Sequence, residues 1–167
     1  MSNIAEWFDG SDDYTGPRLT PEMVRRANSE LGVKLPWSYI DLLRVKNGGT
    51  PRLSCYPTQE PTGWADDHVE VDVVFGISGD DGIDTELGSR YLIAEWGYPD
   101  VGVVIGMTPS AGHEAIMLDY SQCGAQGEPR VIYVDTETHS GEPHVVVLAP
   151  DFDTFLQGFV AGDSFEG

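Results

Sequence analysis

The chain has 167 residues, 40% of them apolar and 10% aromatic, with a formal net charge of −19 from 28 acidic and 9 basic side chains. That length and apolar content suit one packed domain burying roughly 70% of its unfolded surface, and they exclude a disordered chain. So large a negative charge repels phosphate backbones and sets nucleic acid aside as a direct ligand.

Residues 1–18 read as an arm, which Trp7 and Phe8 can pin to the body while 9–16 stays polar and turn-rich. Residues 19–162 read as one domain and 163–167 as a tail. The opening MSNIAEWFDGSDDY has neither a basic nor an apolar leader region, so no signal peptide is expected. No stretch approaches the ~20 apolar residues of a spanning helix, and a cytoplasmic protein without a membrane partner is expected. Cys55 and Cys123 lie far apart and form no CxxC pair, so two reduced thiols are expected.

A first helix starts where Thr20 can cap, Pro21 fits the first helical position and Glu22 faces the positive helix end. Met23, Val24, Ala27 and Leu31 form its stripe, and Gly32 stops it. Leu35-Pro36 then sets up a second helix with Tyr39, Ile40, Leu42 and Leu43 inward, ending at Asn47-Gly48-Gly49. Next the period changes: Val69, Val71, Val73, Phe75 and Ile77 alternate with His68, Glu70 and Asp72, the pattern of one half-buried strand. Residues 84–95 read as a helix with Leu87, Tyr91, Leu92 and Ala94 inward, or as a strand over 91–93. Four strands follow, over 101–107, 115–120, 130–135 and 144–148, with short Gly- and Pro-rich connections that predict an antiparallel meander. Asp151 can cap a last helix whose stripe is Phe152, Phe155, Leu156 and Phe159. The fold class is α+β, with a helical hairpin and a C-terminal helix packed on a mainly antiparallel sheet.

Enzymatic patterns are missing. There is no GxSxG elbow and no GxxxxGK[ST] phosphate cradle, and His113-Glu114 is not followed by a second histidine at HExxH spacing because Met117 stands there. Asp80-Asp81-Gly82-Ile83-Asp84 does not meet EF-hand spacing and reads as a solvated acidic turn. His113 and Asp119 fall in one expected hairpin as a candidate His–Asp pair, and without a nucleophile its expected role is structural hydrogen bonding. No catalytic residue, metal or cofactor is expected. Trp37, Trp64, Trp96 and Tyr98 are each expected to pack into the domain, although Trp37 stands off its helix's apolar stripe.

Charge is unevenly spread. Residues 18–52 hold seven of the nine basic side chains against three acids, whereas 53–167 holds 21 acids against Arg90 and Arg130. The stretch 60–86 contains nine acids and no Lys or Arg. Within it Asp66, Asp67, Glu70, Asp72, Asp80, Asp81, Asp84 and Glu86 are the candidate partner-binding residues, a negative surface suited to steering a basic protein.

The run LTPEMVRRANSELGVKLPWSYIDLLRVKNGG resembles the opening of SUKH-superfamily domains, the group that includes the Smi/Knr regulators of yeast cell-wall synthesis. The marks are Glu30-Leu31-Gly32, Leu35-Pro36, Tyr39, Leu43 and Asn47-Gly48-Gly49. Phe75-Gly76-Ile77, Glu95-Trp96-Gly97-Tyr98-Pro99, Pro109-Ser110-Ala111-Gly112-His113, Leu118-Asp119-Tyr120 and the Phe152-x-x-Phe155-Leu156 helix resemble a bacterial branch. The resemblance implies an α+β fold without a shared active site. It also implies either an immunity protein that neutralises a toxin, often a nuclease, or a regulatory scaffold of Smi/Knr type.

Overall fold

The computed structural model describes residues 4–110 and 112–162; the tail read at 163–167 lies outside them. Its elements are α1 (Pro21–Leu31), α2 (Trp37–Val45), β1 (Cys55–Pro57), β2 (His68–Glu70), β3 (Val73–Val74), α3 (Ser89–Trp96), β4 (Gly102–Met107), β5 (Glu114–Asp119), β6 (Arg130–Asp135), β7 (His144–Ala149) and α4 (Phe152–Gln157). A five-stranded antiparallel sheet runs β3-β4-β5-β6-β7, and β1-β2 forms a separate two-stranded sheet. The class is α+β, and its last four strands make the expected meander.

Local chemistry sets the helix ends. The Thr20 side chain accepts from the Met23 amide, Pro21 opens α1, and Gly32 closes it at φ 70°, a conformation that costs glycine nothing. Asp151 likewise accepts from the Thr154 amide at the start of α4. Both faces of the large sheet are buried. Val103, Ile105, Ile116, Leu118, Val131, Tyr133 and Val146 face α2 and the Phe152/Phe155/Leu156/Phe159 stripe, while Val104, Ala115, Met117, Ile132 and Val134 face Tyr98 and α3 through Leu92 and Ile93. The arm is packed as well, because Trp7 and Phe8 are buried and Trp7 Nε1 donates to the Leu156 carbonyl at 2.9 Å.

Three expectations are corrected. The single strand over 69–77 is two strands in different sheets. The Val71 amide donates to Ser54 and the next amide, Asp72, donates to Met107, so the chain changes sheets between them. Burial then falls on the neighbours Val73 and Val74, which breaks the alternation. The third helix begins at Ser89 rather than at residue 84, because the Asp84 carboxylate is turned back to the Ser78 amide at 2.7 Å. Leu87 is consequently 64% exposed, Tyr91 and Ala94 face outward, and the inward side chains are Ser89, Leu92 and Ile93. Trp37, Trp64 and Trp96 are exposed, at 62%, 43% and 39%, whereas Tyr98 is buried as expected.

Candidate protein-binding surface

Asn47 is the pivot of one end of the molecule. It is buried, its Nδ2 donates to the Pro17 and Ile77 carbonyls at 2.7 and 2.8 Å, and its Oδ1 accepts the Ile77 amide at 2.8 Å. One side chain thereby joins the arm, the end of α2 and the segment leaving β3. Gly76 is required beside it, since a Cβ there would stand 2.3 Å from the Asn47 carbonyl oxygen.

Beyond Ile77 the chain makes a tight loop. Ser78 and Gly79 both have positive φ, at 65° and 70°, and Tyr14 of the arm has φ 66°. For Ser78 and Tyr14 this is the sparsely populated left-handed region, held by surrounding contacts. Asp84 clamps Ser78, and Tyr14 packs edge-on against Phe75. Between them lies a hollow of about 250 Å³ lined by Tyr14, Phe75, Asp80, Asp81, Leu87 and Leu92 among others. Tyr14 and Leu87 are exposed large apolar side chains, and Asp80, Asp81 and Glu86 are exposed acids beside them. An apolar centre with a charged rim is the usual anatomy of a protein-binding patch.

The eight candidate acids fall into two groups, at opposite ends of the Val73–Ile77 segment. Asp80, Asp81, Asp84 and Glu86 form the group at the hollow, with Asp84 serving the loop rather than the solvent. Asp66, Asp67, Glu70 and Asp72 form the other, beside exposed Trp64. In that group Asp67 Oδ1 contacts His68 Nδ1 at 2.7 Å, and Glu70 lies 3.5 Å from the Ser54 hydroxyl. Among the described residues, Asp66, Asp72, Asp80, Asp81 and Glu86 have no Lys or Arg within ion-pair distance.

The candidate His113–Asp119 contact is not formed. His113 precedes the first residue of β5 and Asp119 is its last, so the strand's whole length separates them. His113 instead sets Nδ1 3.2 Å from Asp135 Oδ1 and Nε2 3.2 Å from Glu137 Oε2. Asp119 pairs with Arg130, whose Nε donates to Oδ2 at 2.7 Å. Burial pushes the Asp119 carboxyl upward, but hydrogen bonds from Ser121 and the Arg130 guanidinium outweigh it and hold the group below its ordinary value.

At the His113 end, Glu114, Asp135 and His144 stand in one row across β5, β6 and β7. Gly63 of the preceding loop approaches this row closely, its amide donating to the Tyr133 hydroxyl at 2.8 Å, and the His144 ring contacts the Pro61 carbonyl at 3.2 Å. Burial, with the Glu114 and Asp135 carboxylates nearby, pushes the Tyr98 and Tyr133 hydroxyls well above the ordinary phenol range. Alternation and composition give no hint of this convergence, which depends on the register between β5 and β6.

Two of the basic side chains hold the arm. Lys46 Nζ donates to the Asp9 and Ser11 carbonyls and pairs with Asp12, and Arg52 donates to the Glu6 and Phe8 carbonyls. No helix among the described residues is long and apolar enough to cross a membrane.

No curated protein and no solved structure matches the chain. The family model described as SMI1 / KNR4 family (SUKH-1) matches residues 18–158, which takes in α1 through α4 and both acidic groups. The chain belongs to the SMI1/KNR4 (SUKH-1) family.

Proposed function

We propose that this protein is a non-enzymatic binding domain, an immunity protein that neutralises a basic toxin, with a nuclease as the fitting class of target. The observation that carries the reading is the hollow lined by Tyr14, Leu87 and the exposed acids Asp80 and Asp81, with exposed Glu86 next to Leu87 in the chain. Membership in a family whose bacterial members resemble immunity proteins supports it, as does the absence of a Lys or Arg from 60 to 86.

The physical logic is that of an inhibitor meeting a cationic cleft. Unpaired surface carboxylates give a long-range field that speeds encounter, and the apolar side chains among them supply the desolvated contact that slows release. Asp66, Asp67, Glu70 and Asp72, before the Val73–Ile77 segment, add to the negative field, and exposed Trp64 offers a second aromatic anchor.

Affinity capture from the source cell at about 50 mM and about 500 mM NaCl tests this reading. A basic protein should be retained at low salt, released at high salt, and lost from a variant carrying Asp80→Asn, Asp81→Asn and Glu86→Gln. Recovery of no basic protein at either salt, or equal retention by the variant, contradicts it.

A further inference from the structure

We propose that His113, Glu114 and Asp135 form a binding site for a single first-row divalent transition ion, with zinc the best fit. One imidazole nitrogen and one oxygen from each carboxylate lie within 4.8 Å of one another. The two carboxylates are deep, at 2% and 7% exposure, and they are direct cross-strand partners on β5 and β6. Like charges placed so oppose folding unless something positive lies between them. Glu137 brings a third carboxylate to the far side of the His113 ring. No Lys or Arg among the described residues pairs with any of the three. One imidazolium carries a single positive charge, whereas a divalent ion offsets both buried carboxylates.

The cradle has independent support. Gly63 lies over the pair, and a Cβ at that position would stand 2.1 Å from Glu114 Oε2 and 2.8 Å from Asp135 Oδ2. Both oxygens therefore lie close against the Gly63 backbone, a position where no side chain fits. Hydrogen bonds hold both carboxylates in place: the Thr108 hydroxyl donates to Glu114 Oε1 at 2.8 Å, the Tyr133 hydroxyl also hydrogen-bonds to Glu114, and the Glu137 amide donates to Asp135 Oδ1 at 2.9 Å. The 3.2 Å between His113 Nδ1 and Asp135 Oδ1 is close to the edge of a tetrahedron with metal–ligand bonds of about 2.1 Å, which is about 3.4 Å. With Nδ1 on the metal, Nε2–H faces Glu137, the carboxylate–histidine–metal arrangement that fixes tautomer and ring orientation.

The donor set selects the ion. An imidazole with two carboxylates suits zinc, manganese or iron, and three protein ligands leave room for water. Magnesium and calcium prefer all-oxygen shells and gain little from His113. His113 is half-buried and gives the ion a route from solvent.

The test is calorimetric titration of the full chain, stripped with EDTA and dialysed, at about 0.15 M NaCl. A Cys123→Ser background removes the one exposed thiol among the described residues. Zinc should bind one per chain in the micromolar range or tighter, with calcium and magnesium at least about 100-fold weaker. His113→Ala should raise the zinc Kd at least tenfold, and Glu137→Gln, at an exposed outer position, by roughly three- to tenfold. Circular dichroism of each variant, together with the cobalt visible spectrum, keeps misfolding separate from ligand loss. No zinc uptake below 1 mM, uptake unchanged in His113→Ala, or calcium binding as tight as zinc would each overturn the proposal (the last two assign the ion to the exposed acids).

Discussion

Glu114 and Asp135 stand directly opposite each other on β5 and β6, both buried, with the Gly63 backbone closing over them. The pairing fixes what position 63 can hold. Gly63→Ala drives a methyl group into two carboxylate oxygens that are tethered by other hydrogen bonds. Overpacking of this kind costs about 1–3 kcal/mol, so the melting temperature should fall by roughly 3–10 °C in a thermal scan.

Asn47 should be equally intolerant. Asn47→Asp keeps the acceptor for the Ile77 amide but loses both donations, to Pro17 and Ile77, and places a charge against their carbonyls. A loss of about 3 kcal/mol is expected in urea unfolding, since buried carbonyls left without donors carry most of their desolvation cost. Proteolysis should then cut first in the arm or in the loop after Ile77, the two segments Asn47 ties together.

The Asp119–Arg130 pair predicts a specific acid dependence. The folded carboxyl titrates below its unfolded value, so its contribution is fully present above the unfolded pKa of ~3.9 and is lost as pH falls through the folded one. Asp119→Asn should therefore cost about 1–3 kcal/mol near pH 7, and the gap from wild type should narrow as pH drops below ~4. Melting curves from pH 7 to pH 2.5 on both proteins measure this; a gap that widens in acid contradicts it.

Net charge predicts the response to salt. A chain at −19 with unpaired surface acids repels itself, so raising NaCl from about 10 to about 200 mM should raise the melting temperature by a few degrees. Asp80→Asn with Asp81→Asn should be neutral or slightly stabilising and should blunt that response. Stability and binding would then move in opposite directions at these positions, as expected of side chains kept for recognition.

How much of this was legible in the sequence depends on the range of the interactions involved. Thr20-Pro21 and Gly32, Asp151, and the Phe152/Phe155/Leu156/Phe159 stripe act within a few residues, and the sequence reading of them agrees with the structure. The strand over 69–77 was misread because alternation cannot register a change of sheet at Val71–Asp72, nor can it reveal the short partner strand β1. The helix start at residue 84 fails for a related reason: local pattern does not show that Asp84 serves the left-handed turn at Ser78. The acidic stretch was visible as composition. Its division into two groups, the exposed Leu87 and the meeting of His113 with Asp135 all follow from tertiary register.

The most direct test of the binding account is the association rate with the captured partner across ionic strength, for wild type and for the Asp80→Asn, Asp81→Asn, Glu86→Gln variant. The rate should fall at least tenfold between about 20 and about 500 mM salt, and a similar amount in the variant at low salt, with dissociation changing less. Association that ignores both salt and the three substitutions would contradict recognition through these carboxylates.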